Sequence, residues 1–272
     1  MAARIEIDGG GAFDCDVGDT ILRAALRAGL GFPYECNTGA CGNCRFELLE
    51  GKVAHLRADP PAWGERDLKR NRWLGCQARP EGDCRIKVRL DPHYESRHRP
   101  GRHSARLVER LPVTHDIAEF RFALDDEAPF RPGQYALLSL PGVEGSRAYS
   151  MCSLPGAGAT WDFQVKRVPD GAATTVLFDR LATGDTVGID GPYGMAYLRE
   201  DAPRDLLLLA GGSGLSPMIS VAHAAVASPA LAGRTLHFLY GGRAPRDICG
   251  EAMLKELPGF GERLHYHAAV SD

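Results

Sequence analysis

Tyr34-Glu35-Cys36-Asn37-Thr38-Gly39-Ala40-Cys41-Gly42-Asn43-Cys44 places three cysteines within nine residues as C-x4-C-x2-C, and Cys76 follows after 31 intervening residues. Three thiols this close in sequence must converge, so the backbone between them folds tightly. Gly39 and Gly42 admit the φ > 0 turns this needs and let backbone N–H groups approach the sulfurs. The spacing, with its distant fourth cysteine, is the plant-type 2Fe-2S pattern. Zinc is the competing reading. Zinc sites commonly use two C-x2-C-like pairs, and here only Cys41 and Cys44 form one. Cys15, Cys84, Cys152 and Cys249 share no spacing with the others and read as small buried apolar residues.

Upstream of the cysteine loop, residues 4–7 and 12–17 read as two strands joined by Gly9-Gly10-Gly11. Asp19 reads as the N-cap of a helix from Thr20 to Ala28. Downstream, strands are expected at 45–49 and 85–90, with a turn and a short basic helix over 59–72. Residues 92–103 are polar, with Pro, Gly and three histidines, and read as a solvated hinge. From 105 to 198 the chain alternates in six short segments, 105–110, 117–123, 134–140, 147–150, 161–167 and 186–189, which predicts an antiparallel barrel interrupted by a helix over 172–181. Then the pattern changes. Leu206–Ala210 is a solid apolar run, read as a strand buried on both faces. A Gly turn follows, then a helix to about Val226 with Ser216 as N-cap, and a strand at 235–240. This βαβ unit starts a doubly wound sheet, continued by a helix near 250–257 and a strand at 264–270.

Composition sets the outer bounds. The 272 residues predict about two domains, and the formal net charge of −3 argues against a nucleic-acid binder. The longest apolar run has five residues, far short of the roughly 20 that a membrane span needs. No apolar leader is visible at the N-terminus, so a cytoplasmic location is expected, where eight cysteines are poor material for disulfides.

Three further motifs carry chemistry. Arg147-Ala148-Tyr149-Ser150 ends a barrel strand, with Arg147 and Tyr149 on one face: a phosphate partner beside a stacking ring. Gly171-Ala172-Ala173-Thr174-Thr175 opens a helix whose free N–H groups suit an anion, or is simply a Thr-rich first turn. Gly211-Gly212-Ser213-Gly214-Leu215-Ser216-Pro217-Met218 is a Gly-rich strand-to-helix turn. It lacks the third Gly of the dinucleotide fingerprint, and reads equally as a nucleotide site or a compact turn. Gly191-Pro192-Tyr193-Gly194 and Tyr240-Gly241-Gly242-Arg243 are further turns.

In this order, C-x4-C-x2-C…C, R-x-Y-S, G-A-A-T-T, G-P-Y-G and G-G-S-G-L-S-P-M, the whole chain resembles the ferredoxin–NAD(P)H reductase components of bacterial multicomponent oxygenases. Phe32–Cys44 with Glu47-Leu48-Leu49-Glu50-Gly51 make it most similar to the toluene and phenol type. The resemblance implies a multi-domain α+β and α/β chain: a plant-type 2Fe-2S ferredoxin (β-grasp) domain over 1–92, a linker over 93–103, an antiparallel FAD barrel over 104–201, and an incomplete doubly wound NAD(P) domain over 202–272. It implies that Cys36, Cys41, Cys44 and Cys76 ligate the cluster. Arg147 binds FAD phosphate, Tyr149 stacks on the isoalloxazine, Ser150 sits near its reactive nitrogen, and Val165 and Lys166 line the flavin site. Gly171, Thr174 and Thr175 hold pyrophosphate. Gly211, Gly212, Ser213, Gly214, Pro217 and Arg243 contact the nicotinamide nucleotide. Electrons would pass from NADH through FAD and the 2Fe-2S cluster to an oxygenase component or its small ferredoxin, with no acid–base dyad, and the protein is expected to be a monomer. The family also carries a Cys-Gly-Pro motif and a C-terminal aromatic past the third strand, so the chain is expected to be truncated. An FAD/2Fe-2S module with impaired NADH reactivity and, more remotely, a non-redox zinc domain are the alternatives.

Overall fold

The computed structural model describes residues 2–154, 156, 159–202 and 204–271; Met1, Pro155, Ala157, Gly158, Pro203 and Asp272, which fall within the expected domains, lie outside the described residues. The chain packs as two units, Met1–Gly101 with Gly191–Met195, and Arg102–Asp190 with Ala196–Asp272.

The first unit holds β1 (Ala3–Ile7), β2 (Ala12–Cys15), α1 (Ile21–Arg27), β3 (Arg45–Glu50), β4 (Val53–His55), α2 (Glu65–Leu68), β5 (Arg72–Leu74), β6 (Ala78–Pro80) and β7 (Cys84–Lys87). Its main sheet has the order β2-β1-β7-β3-β5, with β7 parallel to β1 and the other pairs antiparallel. The alternating buried residues of β1, β2, β3 and β7 and the apolar face of α1 bury Ile5, Phe13, Leu22, Leu26, Phe46 and Ile86 together. α1 is capped by Thr20, whose hydroxyl accepts from Arg23 N, and not by Asp19. Asp19 instead accepts from Thr20 N and forms an ion pair with Arg27, two turns on. The pair β4·β6 and the short β5 were not foreseen, because three residues are too few to display an alternation.

The second unit begins with β8 (Gly101–Pro112), β9 (Ile117–Leu124), β10 (Tyr135–Ser139), β11 (Ser146–Ser150), β12 (Thr160–Lys166) and β13 (Thr186–Tyr193). These are the six expected strands, in the order β11-β10-β13-β8-β9-β12. Their inward residues, Phe120, Phe122, Leu138, Trp161, Phe163 and Ile189, fill the barrel. The two end strands meet at a single bridge, Met151 opposite Phe163, continued by Cys152 N donating to Asp162 O at 2.8 Å. The interrupting helix is α3 (Ala172–Thr175), which widens into a π-helical turn over Val176–Arg180.

The chain then enters β14 (Leu206–Gly211), α4 (Leu215–Ala227), β15 (Leu236–Gly242), α5 (Glu251–Lys255) and β16 (Leu264–Val270), a parallel sheet in the order β14-β15-β16. Leu208, Leu236, Phe238, Tyr240 and Leu264 pack with Leu215, Ile219, Ala222 and Leu254 from the helices. The expectation that β14 is buried on both faces is not met: Leu207 and Leu209 are 63% and 64% exposed. Apolar composition alone does not say how many faces are covered; here the alternate residues form the core.

Candidate functional site

The cysteine loop runs between α1 and β3. Its tightness rests on left-handed residues, Asn37 at φ 55°, Gly39 at 82° and Gly42 at 79°. A Cβ on Gly42 would lie 2.2 Å from Arg45 Nη1. That guanidinium fastens the loop: Nη1 donates to Gly42 O at 3.0 Å, Nη2 to Ala62 O, and Nε to Asp67 at 3.1 Å.

The four thiols fall into two pairs. Cys36 Sγ accepts the N–H groups of Cys41 at 3.4 Å and Thr38 at 3.5 Å; Cys44 Sγ accepts Cys76 N at 3.5 Å. Burial opposes ionisation of Cys36, but these hydrogen bonds outweigh it and bring the thiol down to about 7. Cys44 is raised, by a thiol–thiol hydrogen bond with Cys76 and by burial; Cys76 is lowered by that thiol–thiol bond, with burial opposing it. Cys44 and Cys76 are buried while Cys41 is exposed. Four thiols in one unit, two of them accepting backbone N–H groups, are the donor type an iron–sulfur cluster takes. The donor set therefore fits a 2Fe-2S cluster.

The flavin candidates lie along the open ends of the barrel. Arg147 and Tyr149 share one side of β11, and Tyr149 leans on the core while Arg147 is exposed, its guanidinium on Glu144 O and Ser146 O, both at 3.1 Å. Burial raises the Tyr149 phenol. Ser150 ends the strand, half-buried. On the facing strand, Lys166 Nζ pairs with Asp116 at 2.6 Å. Burial would raise the Asp116 carboxyl, but Lys166 holds it below its ordinary value. Val165 is 1% exposed within the barrel core, so its side chain faces away from any ligand and only its backbone can take part. Thr174 is buried, and its hydroxyl bonds within the turn, to Val168 N and O and to Gly171 O, at 3.1–3.2 Å. That leaves the exposed turn backbone and the half-buried Thr175 facing outward.

The Gly211–Gly214 turn is bare backbone: a Cβ on Gly214 would meet nothing within 4 Å, and one on Gly212 would meet only Lys166 Cδ at 3.6 Å. Such a turn fits a phosphate, and it sits beside the flavin candidate Lys166. α4 begins at Leu215 with Gly214 at the N-cap, so Ser216 is not the cap and Pro217 is the third residue of the helix, two positions past its start. Gly211 pairs with Gly241 across the parallel strands, bringing the Arg243 turn alongside.

Sequence reasoning missed Asp247, which shapes that turn. It is 8% exposed; its carboxylate accepts from Arg243 N and Ala244 N at 3.1 and 3.2 Å, and it faces His115 at 3.7 Å. No periodicity marks such a residue. Cys249, expected to be buried, is half-buried and its thiol donates to Tyr240 OH at 3.2 Å. A separate cleft of about 580 Å³, lined by Arg110, Pro112, His115, Ile117, Arg167 and Phe178, contains none of the expected residues.

Comparison with known proteins finds family matches along the chain. Residues 5–81 match the 2Fe-2S iron-sulfur cluster binding domain, 104–197 the oxidoreductase FAD-binding domain and 208–272 the oxidoreductase NAD-binding domain. The chain is 38% identical over 248 residues to the ferredoxin–NAD(P)(+) reductase CarAd of Metapseudomonas resinovorans, covering 90% of this chain and 74% of that one. It is 36% identical over 267 residues to the ferredoxin–NAD(+) reductase component of the alkene monooxygenase system of Xanthobacter autotrophicus, covering 96% and 79%. Its fold is similar to the ferredoxin reductase in carbazole 1,9a-dioxygenase, with a TM-score of 0.91, 31% identity, and coverage of 100% and 80%.

Proposed function

The chain belongs to the ferredoxin–NAD(P) reductase components of multicomponent oxygenases, and on that premise we propose how its residues divide the work of carrying electrons from a reduced nicotinamide nucleotide, through FAD and a 2Fe-2S cluster, to an oxygenase component. When bound, FAD would supply two-electron acceptance with one-electron release, and a 2Fe-2S cluster one-electron relay. The protein's part is placement. Cys36, Cys41, Cys44 and Cys76 would hold the cluster. Arg147 takes an FAD phosphate, Tyr149 stacks on the flavin ring, and Ser150 faces its reactive edge. Lys166, Gly171 and Thr175 line that site, and Thr174 rigidifies the turn. Gly211, Gly212, Ser213, Gly214 and Pro217 receive the nucleotide's phosphates, with Arg243 beside them. The observation that supports this reading is the pairing of the four thiols in one unit, with the R-x-Y-S strand bonded, in the other, to the helix that follows the Gly-rich turn.

NADH is the donor in this reading, and the acceptor is the hydroxylase or its small ferredoxin. The protein acts as a monomer in the cytoplasm, whose reducing conditions keep its cysteines out of disulfides. Among the described residues, no helix is long and apolar enough to cross a membrane. The test is a pair of variants. Tyr149→Ala is expected to lose flavin, and Cys41→Ser to keep NADH-driven flavin reduction while losing electron transfer to cytochrome c. Unchanged flavin content in the first, or full cytochrome c reduction in the second, contradicts the assignment.

A further inference from the structure

The barrel's end strands meet beside the flavin residues. Met151 and Phe163 form the last bridge, and the antiparallel register places Ser150 opposite Gln164 next. Gln164 N donates to Ser216 Oγ at 3.3 Å, and Ser216 Oγ donates to Ser150 O at 2.6 Å. One hydroxyl from α4 thus links the two strands at this rung of the ladder. Ser216 and Gln164 are each 2% exposed, and buried backbone groups without such a partner are costly.

The wedge is specific in what it touches. Ser220, one turn further along α4, is also buried and donates to Ser153 O at 2.7 Å. It docks the same helix on the same chain segment, but three residues past Ser150. Only Ser216 reaches the residue assigned to the flavin edge, and only Ser216 lies immediately after the bare Gly211–Gly214 turn. In a strand the carbonyl and side chain of one residue move together, because φ and ψ are the soft coordinates.

We infer that Ser216 is a positioning residue: its hydroxyl, inserted between β11 and β12, sets the place of Ser150 against the flavin and ties that place to the nucleotide-binding turn. The inference rests on the assignment of Ser150 to the flavin edge.

Ser216→Ala, Ser220→Ala, Ser150→Ala and Ser216→Thr, all as flavin-loaded full chains, test it. The readouts are the visible absorption envelope of the oxidised flavin and the single-turnover rate of its reduction by NADH. Ser216→Ala should alter the envelope and slow reduction by about tenfold, the scale of a sub-ångström misplacement, with KM for NADH less affected than kcat. Ser220→Ala should cost similar thermal stability and leave the envelope unchanged. Ser216→Thr, which keeps the hydroxyl, should restore the envelope and keeps the test open if the alanine variant folds poorly. If Ser150→Ala changes the envelope while Ser216→Ala behaves like Ser220→Ala, the inference fails and the flavin assignment stands. If Ser150→Ala changes nothing, the assignment fails and the inference falls with it.

Discussion

Gly42→Ala should strip the cluster loop of its stability, and the structure gives the size of the effect. Gly42 sits at φ 79°, where alanine costs roughly 1–2 kcal/mol. The added methyl would lie 2.2 Å from Arg45 Nη1. That guanidinium is the far end of a flexible side chain, so it swings away, and the cost is the bonds it leaves: Gly42 O, Ala62 O and Asp67. Arg45 is 39% exposed, so each bond counts as about 0.5–1 kcal/mol. The total is about 2.5–5 kcal/mol. For a unit of this size, that lowers the midpoint of thermal bleaching of the cluster by about 10 °C or more. The assay is visible absorbance against temperature, with iron content measured beforehand. Arg45→Met supplies the mechanistic control. If the methyl acts by displacing the guanidinium, Gly42→Ala with Arg45→Met should fall short of additivity by about 1 kcal/mol. A Gly42→Ala protein with full iron content and a loss below about 0.5 kcal/mol would refute the reasoning.

Other outcomes follow from the same geometry. His55 lies edge-on to Trp63 and Trp73, and its Nε2 accepts Leu74 N at 3.4 Å; burial holds its pKa below 6.5. The unfolded chain therefore binds its proton first, so the stability of the first unit is full above 6.5 and is lost as pH falls through that value. His55→Phe should flatten this slope in denaturation followed by tryptophan emission; an unchanged slope assigns the effect elsewhere. Thr174→Val removes a hydroxyl that bonds three backbone groups and should cost about 1–3 kcal/mol together with flavin loading, whereas Thr174→Ser should retain both. Removing the iron with a chelator should bleach the cluster and leave the flavin-to-protein ratio unchanged, because the cysteines and the barrel belong to different packing units; flavin leaving in step with iron would contradict that.

Much of this protein was legible in the sequence because its candidate cofactor motifs are local. Cys36, Cys41 and Cys44 lie in one loop, the R-x-Y-S group lies on one strand, and the proposed nucleotide turn is one Gly-rich run, so each motif is visible within a single segment. The six barrel strands and the βαβ unit were legible for a similar reason, since their alternation and apolar runs lie within single segments. Tertiary structure decided what depends on distant partners. It joined Cys76 to Cys44 across 31 residues, and turned the Val165 side chain into the core and the Thr174 hydroxyl into its own turn. It left one face of β14 exposed and placed Asp247 under the Arg243 turn. It also moved the Ser216 hydroxyl from the expected helix cap to a link between β11 and β12. A cap is a relation between neighbours in sequence, whereas a wedge is a relation between three segments, and only packing brings those together.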